Sequence, residues 1–201
     1  MLILFGLMVV NFAISVFNAW SVGRSWVETK AAGGWPRFMA WMGAVMSACG
    51  FTWVYLIILA LIAQSFGKLP EVYVDAALKL GYLVIILPVL GSGLAITIQS
   101  WAHFWRERNL RSGAITGWNT FAQAYNMYEA ASAIPDAVRD VYKVLGGKDK
   151  DDDDGKAKAA VLLIVILALT AGVLTTAAII RVTARTRVEQ TRRKFGPRTY
   201  R

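Results

Sequence analysis

Long uncharged apolar blocks alternate with polar, charged segments along this chain. Met1 to Gly23 holds no charged residue; as a helix it measures roughly 34 Å, enough for a hydrocarbon core of about 30 Å. A second block, Phe38 to Phe66, is also uncharged and stops at Gly67-Lys68-Leu69-Pro70, a turn signal with a lysine for the interface. A third, Val74 to Trp105, carries Asp75 and Lys79 only in its first turns and measures roughly 48 Å, too long for one simple crossing. A fourth, Ala159 to Ile180, lies between Lys156/Lys158 and Arg181/Arg185/Arg187. The pattern predicts an all-α polytopic bundle with transmembrane helices at about 1–23, 38–66, 74–105 and 159–180, the third bent. The first block lacks the basic start and small-residue cleavage site of a secretory signal, so it is expected to stay on the protein.

Residues 106–158 have a different pattern. Trp118, Phe121, Ala122, Tyr125 and Tyr128 recur at helical spacing with Asn119, Gln123 and Asn126 between them, which predicts an amphipathic helix packed on the protein or resting at headgroup level. Ile134-Pro135-Asp136 predicts a break, with a second short helix over 136–145. The run from Asp149 to Lys156 reads as a solvated acidic linker, and 181–201 as a basic tail. No internal repeat is present.

Composition sharpens the membrane assignment. Of 201 residues 56% are hydrophobic and 17% charged, against about 45–50% and 25% in soluble domains. The mean hydropathy is +0.46. The formal charge of +9 comes from 22 Lys+Arg and 13 Asp+Glu placed between apolar blocks, so it reads as topology before nucleic-acid affinity and excludes a soluble DNA-binding domain. One cysteine, Cys49, and one histidine, His103, exclude an intrachain disulfide, a Cys/His zinc site, an iron–sulfur cluster and a bis-histidine haem within one chain. No cofactor is expected.

Basic residues do not orient a four-span protein, because ten flank the span ends on one side and ten on the other, with Arg139 and Lys143 in the middle of the long loop. A fifth crossing over about Ser112–Ile134 would collect fourteen on one side against eight. Glu129, Asn119, Gln123 and Asn126 oppose its insertion unless it is shielded, and four spans plus an interfacial helix is the preferred reading.

Candidate chemistry is sparse. Pro88, Gly91 and Gly93 mark a break or kink in the third span; exposed helix ends there could serve a transporter, but no other span has a matching break. Gly43 and Ser47 in span two, and Ala168, Gly172 and Thr176 in span four, favour close helix packing. Asn11 and Asn18 share a face of span one and, with Ser47 and Thr52, are candidates for interhelical hydrogen bonding or a pore lining. The middles of these four spans hold no Asp, Glu, Lys, Arg or His, which argues against a proton relay or carboxylate catalysis there. His103 and Glu107 share a face but fall short of a zinc ligand set. The aspartate run fails the EF-hand register, with Asp154 where glycine is required and Ala160 where glutamate is required. No nucleophile elbow, P-loop, dinucleotide fingerprint or zinc motif occurs.

These readings lead to the expectation of a noncatalytic membrane subunit that forms homo-oligomers or joins other membrane subunits. Trp118, Phe121, Tyr125, Tyr128, Arg185, Arg192, Arg193 and Lys194 would dock on lipid or a partner, nucleic acid being the less favoured one. The alternatives are a channel or holin-like pore and, less favoured, a small-solute transporter. The bacterial inner membrane is the expected location, with a virion or organelle membrane as the other setting.

Overall fold

In the computed structural model, residues 2–67, 69–147 and 152–195 are described; Met1, Lys68 and the segments 148–151 and 196–201 lie outside the described residues. The described chain is all-helical: α1 (Leu2–Ala32), α2 (Gly34–Ser65), α3 (Glu71–Glu107), α4 (Leu110–Leu145) and α5 (Asp152–Phe195). Four of these, all but α4, are long and apolar enough to cross a membrane.

The helices outrun their apolar blocks. α1 continues past Gly23 to Ala32, and α5 begins at Asp152 and continues to Phe195, because the flanking Ala, Lys, Arg, Glu and Gln are themselves good helix formers. The acidic run is therefore only partly a linker. Asp154 lies in the first turn of α5, bonded to the Tyr73 hydroxyl and 3.1 Å from Lys158 Nζ, and Lys158 also donates to the Gly147 carbonyl. The expected break at Pro135 is absent, since α4 is one helix through that residue. α3 likewise stays helical through Pro88, where Ser92 Oγ donates back to the Pro88 carbonyl at 2.6 Å.

Short connections set the path. Gly33 and Gly34 both take positive φ, 62° and 48°, to reverse the chain between α1 and α2. Arg108, left-handed at φ 47°, ends α3, and Asn109 caps α4 by accepting from the Ser112 amide at 2.8 Å. Contacts along the helices then fix two ends. The basic end gathers the α1–α2 turn, the α3–α4 turn and the later half of α5: Trp35 donates to Gln99, and Gly23 packs on Ile180 and Thr183. At the acidic end, Ala60, Leu69, Val74, Ala77, Val161, Ile164, Val165 and Ala168 form an apolar core.

α2 lies at the centre, touching α1, α3 and α5. Its approach to α5 is close at Gly172, where an added Cβ would lie 2.3 Å from Thr52 Oγ1 and 2.8 Å from both the Ala48 carbonyl and the Thr52 amide. Gly172→Ala is expected to cost about 1–3 kcal/mol through overpacking, read as a lowered thermal midpoint of the detergent-solubilised protein. Gly91→Ala, which meets nothing within 4 Å, is expected to leave the midpoint unchanged or raise it slightly.

Candidate functional site

The most unusual feature is the seam between α3 and α4. α4 runs antiparallel along α3 for most of its length instead of lying across its end. From the turn downward, Thr116 Oγ1 donates to the Ser100 carbonyl at 2.9 Å, Thr97 Oγ1 to the Asn119 carbonyl at 3.3 Å, and Gln123 Nε2 to the Leu90 carbonyl at 3.1 Å. Trp101 Nε1 donates to Thr120 Oγ1 at 3.0 Å. Near the acidic end Lys79 Nζ bridges Asp75 at 2.6 Å and Asp140 at 2.8 Å.

Buried positions along this seam recur every seven residues. They are Gly93 and Ser100 on α3, and Thr116, Gln123, Ala130 and Ala137 on α4. Small side chains at this spacing let two helix backbones approach closely, as in an antiparallel coiled coil. Gly93 makes room for the Gln123 amide, since a Cβ there would lie 2.1 Å from Gln123 Oε1. That oxygen is buried without a hydrogen-bond partner.

The aromatic stripe therefore faces the other way from one that packs on its own chain. Trp118, Phe121, Tyr125 and Tyr128 are all exposed, between 54% and 72%. The small and polar side of α4 is the one that packs, because close contact and cross-helix hydrogen bonds are available only there. On the exposed side Tyr125 Oη donates to Glu129 at 2.8 Å.

The other polar candidates sit in helix contacts. Asn11 Nδ2 donates to the Gly50 carbonyl at 3.4 Å, and Ser15 Oγ to the Asn11 carbonyl at 2.8 Å. Ser47, fully buried, donates to the Ser15 carbonyl at 2.8 Å and lies 3.4 Å from Thr176 Oγ1, which joins α1, α2 and α5. Thr52 is buried against Gly172. Asn18 is half-buried on α1. Gly43 packs on Val22, and Ala168 belongs to the apolar core at the acidic end. Pro88 and Gly91 lie within the unbroken α3.

His103 Nε2 and Glu107 approach to 3.2 Å, both half-exposed. Among the described residues no three His, Cys, Asp or Glu side chains gather as a cation cage. Arg185, Arg192 and Arg193 are exposed on the last turns of α5; Lys194 lies in the same helix, its side chain outside the described residues.

The aromatic spacing marks the exposed side of α4, while the contact with α3 lies on the other. Ser15, Ser100, Thr116 and Gln123 emerge as contact residues only from the structure, although the heptad of small and polar residues at 116, 123, 130 and 137 was a visible signal. If the Gly93–Gln123 fit is specific, Gly93→Ala alone destabilises the solubilised protein, and adding Gln123→Ala restores part of the loss. The expected coupling is about 1–2 kcal/mol by double-mutant cycle, and additive effects would mean the two residues pack independently. Comparison with known protein families, curated proteins and solved structures finds no match to this chain.

Proposed function

We propose that the chain is a noncatalytic integral membrane subunit that crosses the bilayer five times and assembles through the outer face of α4. The observation that carries this reading is the α3–α4 seam. If α3 crosses the membrane, a partner bonded to it at Ser100, Thr97, Leu90 and Lys79 runs through the same depth. The path then places Arg24–Arg37, Arg106–Arg111 and the segment after Ile180 on one side, fourteen of the 22 Lys+Arg. The positive-inside preference puts that side in the cytoplasm. The interfacial placement of α4 gives no such bias.

A polar fifth helix also supplies the reason to assemble. α4 carries Glu129, Asn126 and Tyr125 yet lies on the outside of the bundle, and a carboxylate at membrane depth needs shielding from lipid. Its outer side shows Gly117, Ala124 and Ala131, seven apart and exposed, flanked by the aromatics. Small residues so spaced suit a second close helix, and the copy of α4 in another protomer is the partner we assign. A channel would have to run between protomers, because Ser47 and Thr52 are closed within one chain.

Two measurements test the reading. In a Cys49→Ala background, Ala31→Cys and Arg111→Cys are expected to react with an impermeant thiol reagent from the same side of sealed vesicles, and Gly147→Cys from the other. Labelling of Arg111→Cys and Gly147→Cys from one side would remove the fifth crossing. Gly117→Leu is expected to convert oligomers to monomers in lipid nanodiscs, measured by mass photometry, with no loss of thermal stability because Gly117 meets nothing within 4 Å. An unchanged oligomer would remove the α4 interface.

A further inference from the structure

A groove of about 520 Å³ opens between α2 and α5, lined by Ala44, Val45 and Ala48 of α2 and by Val173, Ala177 and Ala184 of α5. Its walls are almost wholly apolar, and it exists because short side chains face each other where the neighbouring positions carry larger ones. Along α5 it runs from Val173 to Arg185, a rise of about 18 Å, comparable to the apolar depth of one leaflet.

Its basic end is different. Arg181 and Arg185, one turn apart and both exposed, form the rim there with Trp26 and Trp41. Among the described residues neither arginine forms an ion pair, including with Glu189 one turn on from Arg185. Trp26 and Trp41 meet edge to face at 5.3 Å, and the Arg37 guanidinium lies 3.7 Å over Trp26 and 5.4 Å from Trp41. This aromatic pair sits where indole rings favour the membrane–water boundary. An apolar channel one leaflet deep, ending in arginines at the interface, matches one class of molecule: a lipid with a long acyl chain and an anionic phosphate headgroup.

We propose that this groove binds an anionic phospholipid, with an acyl chain along Ala48, Val173 and Ala177 and the phosphate between Arg181 and Arg185. The assignment rests on the membrane-spanning reading of α2 and α5. With the basic end in the cytoplasm, the site faces the leaflet richest in anionic lipid on a cytoplasmic membrane. Charge and chain act together: the arginines select the headgroup, and the small residues admit the chain.

The test uses the full chain, purified in mild detergent, delipidated and titrated with phosphatidylglycerol or phosphatidylcholine under native mass spectrometry. One phosphatidylglycerol per chain is expected, held at least about tenfold more tightly than phosphatidylcholine. Arg181→Gln/Arg185→Gln is expected to weaken it about 30-fold, since each basic residue at the surface contributes about 1 kcal/mol, while Arg192→Gln/Arg193→Gln leaves it within about threefold. Ala177→Phe, at an exposed position inside the groove, is expected to abolish retention of either lipid while preserving the thermal midpoint. Glycerol 3-phosphate, the headgroup without its chains, is expected not to bind. Equal retention of both lipids, full retention by the Arg181→Gln/Arg185→Gln variant, or saturation by glycerol 3-phosphate alone would each overturn the site. Recovery of the expressed chain in the alkaline wash of membranes, rather than in the bilayer, would instead overturn the membrane reading on which the site rests.

Discussion

The arrangement of α1, α2 and α5 depends on how closely α2 can approach its neighbours. In lipid the surroundings of a helix are as apolar as its side chains, so helices are held together by close contact and by hydrogen bonds rather than by release of water. Gly50 and Gly172 provide the contact. Ser15 Oγ occupies the space a Cβ on Gly50 would fill, and Thr52 occupies the corresponding space at Gly172. Other hydroxyls on the same helices bond across these contacts, Ser47 to the Ser15 carbonyl and Thr176 to Ser47. Close approach and polar bonding thus act side by side. α3 joins through a third glycine, Gly81, against which Leu56 of α2 is packed.

The part of this architecture legible in the sequence is the part the solvent dictates. Lipid excludes charge, so the charge-free blocks at Phe38–Phe66 and Ala159–Ile180 mark helices without further information. Helix ends were less legible, because beyond the hydrocarbon nothing requires a helix to stop: α5 continues through Arg181 and Arg193 as readily as through Leu174. Pro135 misled in a related way, and α3 too runs unbroken through Pro88. Each removes one backbone donor, and the surrounding turns keep the helix continuous.

The orientation of α4 was illegible for a different reason. An apolar stripe on a helix states that one side avoids water, without stating whether protein or lipid covers it. Trp118, Phe121, Tyr125 and Tyr128 form such a stripe, and the chain's own α3 takes the opposite side. What decides the matter is size. Thr116, Ala130 and Ala137 admit a backbone at close range where four aromatic rings do not, and the side chains of one helix reach the backbone carbonyls of the other only at that range. The polar residues of α4 that count against its insertion as a lone helix, Gln123 foremost, are among those that bind it to α3.

The turn joining α3 to α4 has a consequence for biogenesis. Only Arg108 and Asn109 separate the two helices, so on the five-crossing reading α4 leaves the ribosome directly behind α3 and meets it before either has settled among lipids. Partitioning then acts on a hairpin rather than on single helices. The apolar surface of α3 carries in a companion that hydropathy alone would leave behind, and Thr97, Ser100 and Thr116 find their partners at the insertion site. Lengthening this turn would uncouple the two events, stranding α4 on the side where its synthesis began even though every residue of the seam was intact.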